Sequence, residues 1–406
     1  MKDLNYDKNT IIKHKYLHGD QSMKRSISIL LALILTIGLA FSMTSCINNT
    51  TVTEAGDVYN VEVNGASTNV AAASKAVLSA VSIKASYRYA TLGSTGSGVI
   101  YSMSEERDSA FIVTNYHVVY NSSLGISKNI NVFLYGMESD AYAIPAEYIG
   151  GSMLYDIAVL KVTNSKTLKE SSSVPAVFAN SDTLNLLDTV IAVGNASGNG
   201  ISATLGHLNV ESEYITLYGA DEKTKITIRV MRTDAAVNPG NSGGGLFNAS
   251  GEVVGIVNAK SAAESVDNIG YAIPSNVAKS IVENLIHYCD GTNKTCVYRC
   301  ILGVTVSAAN PRVDYNEETG AIKKFEDVVV SEIAHDSAVK SLFEKGDIIK
   351  SVTIKGKTYE ITRQHQLIDA MLDVRQGTNI TFKVLRDGNE IEFTVNATNE
   401  MLEPYV

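Results

Sequence analysis

The most informative run of the sequence reads Thr233-Asp234-Ala235-Ala236-Val237-Asn238-Pro239-Gly240-Asn241-Ser242-Gly243-Gly244. A serine flanked by glycines can be displayed on a tight turn, where successive backbone N–H groups converge beside its hydroxyl. Such donors can hold the oxyanion that forms when an acyl carbonyl becomes tetrahedral. Because a serine hydroxyl is a poor nucleophile by itself, this interpretation requires a base and an orienting carboxylate elsewhere in the chain.

Two upstream runs supply candidates for these partners. His117 lies three residues after the apolar run Ile112–Thr114, and Asp156 directly precedes the apolar run 157–160. Taken alone, a histidine after a strand is usually structural, an aspartate before one is usually a cap, and a glycine-rich turn is usually only flexible. Their occurrence together in the order His, Asp, Ser favours a catalytic triad with Ser242 as nucleophile.

A second hydrolase class also fits the serine turn. The segment 240–244 satisfies G-x-S-x-G, the nucleophile elbow of α/β-hydrolases, which requires a helix directly after the serine and a later acid and histidine. Here further glycines follow Ser242, then the turn at 248–251 and another β-branched run. The context therefore disfavours the elbow.

The three runs together resemble the trypsin-like serine proteases, and specifically the bacterial HtrA (Deg) family. The resemblance implies that His117 is the general base, Asp156 the carboxylate that orients it, and Ser242 the nucleophile, with no metal and no cofactor. It also implies that the oxyanion hole is formed by the segment Gly240, Asn241 and Ser242.

Substrate specificity is predicted from the same resemblance. In trypsin-like proteases, the residue six positions before the nucleophile forms the bottom of the primary specificity pocket. Here that residue is Ala236. An uncharged alanine predicts cleavage after small or medium aliphatic residues. Ile256, Val257 and Asn258 match the segment that pairs with the substrate backbone, so we include them in the expected substrate pocket.

Short β-branched runs separated by Gly and Asn dominate residues 86–273 and favour an all-β fold. With the resemblance, they predict a chymotrypsin-like double β-barrel protease domain over residues 75–290. Apolar spacing predicts a helix at 71–85 and a second helix at 275–288 with Ser275 as its cap.

The segment after Cys300 reads as an α+β domain over residues 298–400. The loop Ile301, Leu302, Gly303 and Val304 resembles the carboxylate-binding loop of PDZ domains, whose backbone N–H groups capture a peptide C-terminus. A helix at 364–374 would place His365, Leu367 and Ile368 on or near the flank of the groove. Residues 309–324 look like an insertion.

The N-terminus predicts export. Lys24-Arg25 precedes an uncharged apolar run from Ser26 to Ser45, as in a secretory signal or a single membrane anchor. The run ends in Met43-Thr44-Ser45-Cys46, which resembles a lipobox with Cys46 as the lipidated residue. We therefore expect residues 1–46 to be a signal or anchor, residues 47–74 to be a flexible tether, and the protein to lie outside the cytoplasm at the membrane.

Composition narrows the class of protein further. The 406 residues are 45% hydrophobic and 19% charged, which excludes low-complexity and wholly disordered chains. The formal net charge is −9, without a basic block in the body of the chain, so nucleic acid is not an expected partner. Three cysteines besides Cys46 allow at most one disulfide among them, and with His287 they form only a weak candidate for a zinc site: Cys289, Cys296 and Cys300.

Two functions from different classes remain open at this stage. The first is an active extracytoplasmic serine endopeptidase that cleaves unfolded or damaged proteins, with a PDZ domain that binds peptide C-termini. The second is a chaperone or peptide-binding scaffold whose protease is largely dormant. The resemblance also implies a homo-oligomer, a trimer or a multiple of one.

Overall fold

The computed structural model describes residues 68–87, 93–259, 269–289 and 297–405. The expected signal or anchor segment with Cys46, most of the expected tether, and Cys296 lie outside these described residues. None of the described helices is long and apolar enough to cross a membrane.

The strands between residues 80 and 162 form a closed antiparallel barrel. Its strands follow one another around the barrel in the order β1-β2-β3-β8-β7-β6. Their bounds are β1 Ala80–Ser86, β2 Gly93–Met103, β3 Ala110–Thr114, β6 Asn129–Leu134, β7 Ile144–Ser152 and β8 Ile157–Val162. Between β3 and β6 lie the short helix α2, Tyr116–Val119, and a small hairpin of β4, Tyr120–Asn121, and β5, Gly125–Ile126.

A second closed barrel follows, in the order β10-β11-β14-β13-β12-β9. A short helix α3, Lys166–Lys169, precedes it. The strand bounds are β9 Thr189–Gly194, β10 Ser202–Tyr218, β11 Lys225–Thr233, β12 Gly245–Asn248, β13 Val253–Val257 and β14 Gly270–Pro274. The expected double β-barrel is therefore confirmed.

Strands of both barrels contribute to one apolar layer between them. Val113 and Val159 of the first barrel share this cluster with Val193 and Ile256 of the second, and all four are completely buried. β3, β8 and β12 all end or begin beside this layer. Residues at those strand ends are consequently brought together although they are far apart in sequence.

Two helices flank the barrels. Helix α1, Thr68–Ser79, begins inside the segment expected as a tether and ends where β1 begins, so the prediction of a helix at 71–85 is wrong in its second half. Helix α4, Ser275–Tyr288, has the predicted bounds, but its cap is Pro274. The Ser275 hydroxyl instead donates to the carbonyl oxygen of Ala179 at 2.6 Å.

The C-terminal domain is a six-stranded antiparallel sheet with one helix. β16 to β18, β20 and β21 follow one another across the sheet, and β19 pairs with β18. The helix is α5, Gln364–Met371, which ends before the predicted residue 374. The strands are β16 Val304–Tyr315, β17 Ile322–Ile333, β18 Ile348–Ile354, β19 Lys357–Glu360, β20 Asn379–Arg386 and β21 Asn389–Asn396.

The expected insertion at 309–324 lies in one hairpin of this sheet. It forms the outer half of the β16–β17 pair, in which Tyr315 is opposite Ile322. A separate ladder joins β15, Val297–Cys300, to β22, Leu402–Tyr405, with Val297 opposite Tyr405. This ladder brings the entry and the exit of the domain side by side.

Candidate active site

His117 and Asp156 are in direct contact at the edge of the first barrel. His117 lies on α2, immediately after β3, and its Nδ1 is 2.7 Å from Oδ2 of Asp156. The backbone N–H of His117 donates to the other carboxylate oxygen at 3.0 Å. The imidazole is 18% exposed and the carboxylate 4%, so one face of the ring remains accessible while the acid is shielded from water.

Asp156 is held in a strained turn directly before β8. Its φ of 51° lies in the left-handed region, which a non-glycine residue adopts only when its surroundings compensate. Those surroundings are two buried amides: Asn258 donates to Oδ2 at 2.9 Å, and Asn115 donates to the Asp156 carbonyl oxygen at 2.8 Å. The carboxylate is thereby fixed in position and orientation.

The sequence did not reveal the part that these two asparagines play. Asn115 was only part of the histidine run, and Asn258 was expected to line the substrate pocket. In the structure both side chains are completely buried and turned towards Asp156. The available signal was an amide residue in an otherwise apolar run, because a buried amide needs a polar partner.

Ser242 lies on the turn that leads into β12, and glycine is essential to this turn. Gly240 has a φ of 99°, and a Cβ there would come within 2.2 Å of the Asn195 carbonyl oxygen. The Asn241 N–H donates to Asn238, and the Gly243 N–H to Val257. The N–H groups of Gly240 and Ser242 donate to no acceptor among the described residues.

The peptide plane between Pro239 and Gly240 is fixed by a neighbouring loop. The Ser197 N–H donates to the Pro239 carbonyl oxygen at 2.9 Å. In a trans peptide the next N–H points the opposite way from the carbonyl. The Gly240 N–H is therefore directed away from the 195–200 loop and is free for a ligand.

Strand β2 connects the serine turn to the histidine helix. The Ser97 N–H donates to the Ser242 carbonyl oxygen at 2.8 Å, and the Ser97 hydroxyl to the Gly240 carbonyl oxygen at 2.7 Å. A Cβ on the adjacent Gly96 would meet both Val118, beside His117, and the Ser242 carbonyl oxygen. The serine turn and the helix that carries His117 thus both pack against β2.

The predicted pocket residues are only partly in place. Ala236 is exposed, and its carbonyl oxygen accepts a hydrogen bond from Thr204, so it can face a ligand. Ile256 and Val257 are completely buried, and their backbones lie between β12 and β14. They cannot pair with a substrate strand, which corrects that expectation.

The predicted carboxylate loop borders a cavity of about 410 Å³ in the C-terminal domain. Its walls are the loop, the start of β16 and α5, with Leu367 and Ile368 among the lining residues. His365 does not line it and is buried on the opposite side of the helix, where burial and the nearby Arg229 and Arg363 lower its pKa to about 2.

Hydrogen bonds to two of its carbonyl oxygens orient the loop towards the cavity. The Ser337 hydroxyl donates to the Leu302 carbonyl oxygen at 2.7 Å, and the Ala334 N–H to that of Gly303 at 2.8 Å. The N–H groups that follow these carbonyls point the other way. The Ile301 N–H is unavailable, because it donates to Met401.

Among the described residues, no group of three or more His, Cys, Asp and Glu side chains is placed to hold a metal ion. Cys296 of the candidate zinc set lies outside them. Cys300, part of the candidate zinc set, is a buried free thiol, and burial raises its pKa to about 12. A thiol with that pKa stays protonated at neutral pH and is a poor nucleophile.

Family models match two parts of the chain. Residues 96–256 match the trypsin-like peptidase domain, and residues 300–397 match the PDZ domain. These matches agree with the double barrel and with the C-terminal sheet, respectively.

Curated relatives carry protease names. The chain is 33% identical over 308 residues to the serine protease Do-like HtrA of Bacillus subtilis, covering 74% of this chain and 63% of the relative. It is also 33% identical to a probable periplasmic serine endoprotease DegP-like of Rickettsia prowazekii, covering 71% of this chain and 50% of the relative. The chain thus spans less than two thirds of the length of these relatives.

A solved structure has the same arrangement of elements. It is titled HtrA-type protease AlgW with tripeptide, is 26% identical, and superposes with a TM-score of 0.52. The match covers 83% of this chain and 98% of that chain.

Proposed function

The chain matches the HtrA family of serine proteases, with a trypsin-like peptidase domain followed by a PDZ domain, and on this basis we propose that it is an endopeptidase that hydrolyses unfolded or damaged proteins. The observation that carries the proposal is the 2.7 Å contact between His117 and Asp156 beside the Ser242 turn.

The proposed reaction begins with proton transfer from Ser242 to His117. As Nε2 of His117 takes the hydroxyl proton, Ser242 Oγ forms a bond to the scissile carbonyl carbon. Asp156 remains ionised, accepts the Nδ1–H hydrogen bond and stabilises the imidazolium. His117 then gives the proton to the departing amine, which leaves an acyl-enzyme, and a water activated by His117 releases the acid.

The proposed oxyanion hole is formed by the N–H groups of Gly240 and Ser242. The fixed Pro239–Gly240 peptide plane supports this role, because preorganised donors need no reorganisation when charge develops. Asn241 contributes no donor to it, since its N–H is bonded to Asn238. Its role in the predicted oxyanion segment is to shape the turn.

The C-terminal domain would select substrates or activators by their carboxyl ends. The Gly303 and Val304 N–H groups, which follow carbonyls bonded on the opposite side, would bind the carboxylate. The apolar wall of the cavity, including Leu367 and Met371, would take the terminal side chain.

We propose a location outside the cytoplasm, with the membrane contact made through the N-terminus and Cys46, and a homo-oligomeric assembly. The periplasmic names of relatives and the apolar run at 26–45 support the location. Mass spectrometry of the mature N-terminus would test lipidation of Cys46, and light scattering would test the oligomer.

The test of the proposed reaction uses the full chain and its Ser242→Ala variant. It compares their cleavage of denatured casein with their cleavage of folded control proteins. Loss of a triad serine lowers kcat by about 10⁶, so cleavage should disappear. Ser250→Ala, an exposed serine on the turn 248–251, is the matched control and should retain full activity.

The opposite result would be binding of denatured protein without cleavage by the parent chain, even with an added peptide ending in a large apolar residue. That result would contradict the proposed protease activity and favour a peptide-binding scaffold. Residual cleavage in Ser242→Ala equal to that of the parent would show that another residue is the nucleophile.

A further inference from the structure

A side chain at the start of α5 is hydrogen-bonded to the strand that borders the peptide groove of the C-terminal domain. We define the peptide groove as the cavity between the start of β16, residues 304–306, and α5. Gln364, the first residue of α5, donates from Nε2 to the Val306 carbonyl oxygen at 3.0 Å. This bond crosses from the helix to the strand edge on which a peptide would pair.

The bond uses a group that an added strand needs. In a β-strand, the residues i and i+2 present their N–H and C=O groups to the same edge. The register of β16 against β17 skips Ser331, so the bulge lies on β17 and β16 keeps this alternation. The backbone groups of Val304 and Val306 therefore face the same edge. Gln364 is hydrogen-bonded to the carbonyl oxygen of Val306.

The position of Gln364 is fixed by the start of the helix. Its own N–H donates to Glu326 Oε1 at 2.6 Å. Two residues on, the Gln366 side chain accepts hydrogen bonds from the N–H groups of Thr362 and Arg363. These bonds hold the first turn of α5 against β17, so the Gln364 amide remains within reach of Val306.

An antiparallel peptide would enter with its carboxylate at the loop 302–304. Its last residue would then lie beside Val304, and its third residue from the end beside Val306, because paired positions advance two residues at a time. The N–H of that third residue would need the Val306 carbonyl oxygen. The Gln364 side-chain amide already donates to this oxygen, so it competes with the N–H of the third residue.

We propose that Gln364 is a specificity-determining residue that competes with the third residue from the end of a peptide for the Val306 carbonyl oxygen, which weakens main-chain recognition beyond the last two residues. The inference rests on the proposed peptide binding by this domain. Its ligands are peptides with a free carboxylate and a large apolar terminal side chain, with little requirement on the sequence upstream. Ends of many unrelated unfolded chains satisfy that description.

The inference is tested by the length dependence of peptide binding to the full chain. Every protein carries Ser242→Ala so that the probes are not cleaved. The probes are acetyl-Ala-Leu, acetyl-Ala-Ala-Leu and acetyl-Ala-Ala-Ala-Ala-Leu with free carboxylates, and the C-terminal amide of the longest is the control for carboxylate recognition. Affinities are measured by calorimetry or by competition with a fluorescent peptide.

We expect the parent to bind the dipeptide and the pentapeptide within about twofold of each other. Gln364→Ala should bind the pentapeptide at least about fivefold more tightly than the parent, the gain from about one added hydrogen bond, with the dipeptide unchanged. Gln364→Asn, whose shorter amide cannot reach Val306, should behave like Gln364→Ala. Gln376→Ala removes an exposed glutamine away from the groove and should behave like the parent.

The outcomes separate this inference from the function on which it rests. Gln364 does not limit recognition if the parent binds the pentapeptide at least fivefold more tightly than the dipeptide. The same holds if the affinity of Gln364→Ala depends on peptide length as that of the parent does. If no free carboxylate peptide binds any variant, or if the amide binds equally well, peptide-end recognition by this domain is itself overturned.

Discussion

Arg229 of β11 and Asp369 of α5 form an ion pair that joins the second barrel to the C-terminal domain. Their side chains are 6% and 13% exposed, so both charges are largely removed from water. Burial raises the pKa of Asp369 to about 6, although Arg229 opposes this shift. The helix that borders the peptide groove is therefore attached to the peptidase domain through a buried charge pair.

Breaking this pair should destabilise the protein. Asp369→Asn leaves the Arg229 guanidinium buried without a counterion, and removal of one member of such a pair costs about 3–5 kcal/mol. The double variant Arg229→Met with Asp369→Leu should recover most of that loss, because it buries no charge. Urea unfolding of Asp369→Asn and of the double variant measures both values. A loss below about 1 kcal/mol in Asp369→Asn would show that the pair contributes little to stability.

His365, four residues before Asp369, should make the docked helix sensitive to acid. Burial, with Arg229 and Arg363 nearby, lowers its pKa to about 2, whereas histidine in the unfolded chain is protonated near its ordinary pKa of 6.5. The unfolded state therefore gains the proton first, and stability falls as the pH drops below 6.5, by about 1.4 kcal/mol per unit.

His365→Gln tests this pH dependence by comparison with the parent. Between pH 7.5 and pH 5.0 the stability of the variant should rise relative to the parent by about 2 kcal/mol in urea unfolding. Asp369 is present in both proteins, so its titration largely cancels in the difference. A difference that stays constant with pH would mean that His365 is protonated in the folded protein.

Asn258 should support catalysis through Asp156. Asn258→Ala removes the 2.9 Å hydrogen bond to the carboxylate and lets the acid and the His117 ring move. Misplacement of a catalytic group by about 1 Å can cost about 10² in rate, so kcat should fall by about that factor with KM nearly unchanged. Asn129→Ala, at an exposed asparagine, is the control. A rise in KM by a similar factor, with kcat unchanged, would instead show that Asn258 contributes to substrate binding.

Gly240 should tolerate no side chain. A Cβ there would lie 2.2 Å from the Asn195 carbonyl oxygen, so Gly240→Ala must rotate the peptide that carries the proposed oxyanion donor. We expect kcat to fall by about 10² or more, the effect of losing one donor. Gly136 also has a positive φ but has nothing within 4 Å of its Cβ position. Gly136→Ala should cost only about 1 kcal/mol of backbone strain and leave kcat unchanged.

Local patterns in the sequence predicted the elements whose signal is contained in a few residues. The helix Ser275–Tyr288 has the bounds expected from its apolar pattern. The apolar run at 157–160 lies in the strand Ile157–Val162. The strand β1 was missed because Ala80, Val81 and Ile83 continue the apolar spacing of α1 and are all completely buried. A fully buried strand does not alternate, so its pattern cannot be distinguished from that of a buried helix.

The supporting contacts of the site could not be derived from patterns. Asn258 lies 102 residues after Asp156, and the two meet only because the barrels pack together. The Val306–Gln364 bond likewise joins positions 58 residues apart. Sequence motifs identified the residues with reactive side chains, whereas the residues that position them depend on tertiary packing.

The ladder between β15 and β22 determines how the C-terminal domain would respond to tension. Val297 and Tyr405 form its outermost pair, so the two ends of the domain leave from the same edge of the ladder. A force that pulls these ends apart would break the pairs of the ladder one after another, beginning at Val297 and Tyr405. The six-stranded sheet would still be intact at that point. Tension between the two ends of the domain would thus separate β15 from β22 before it reaches the sheet.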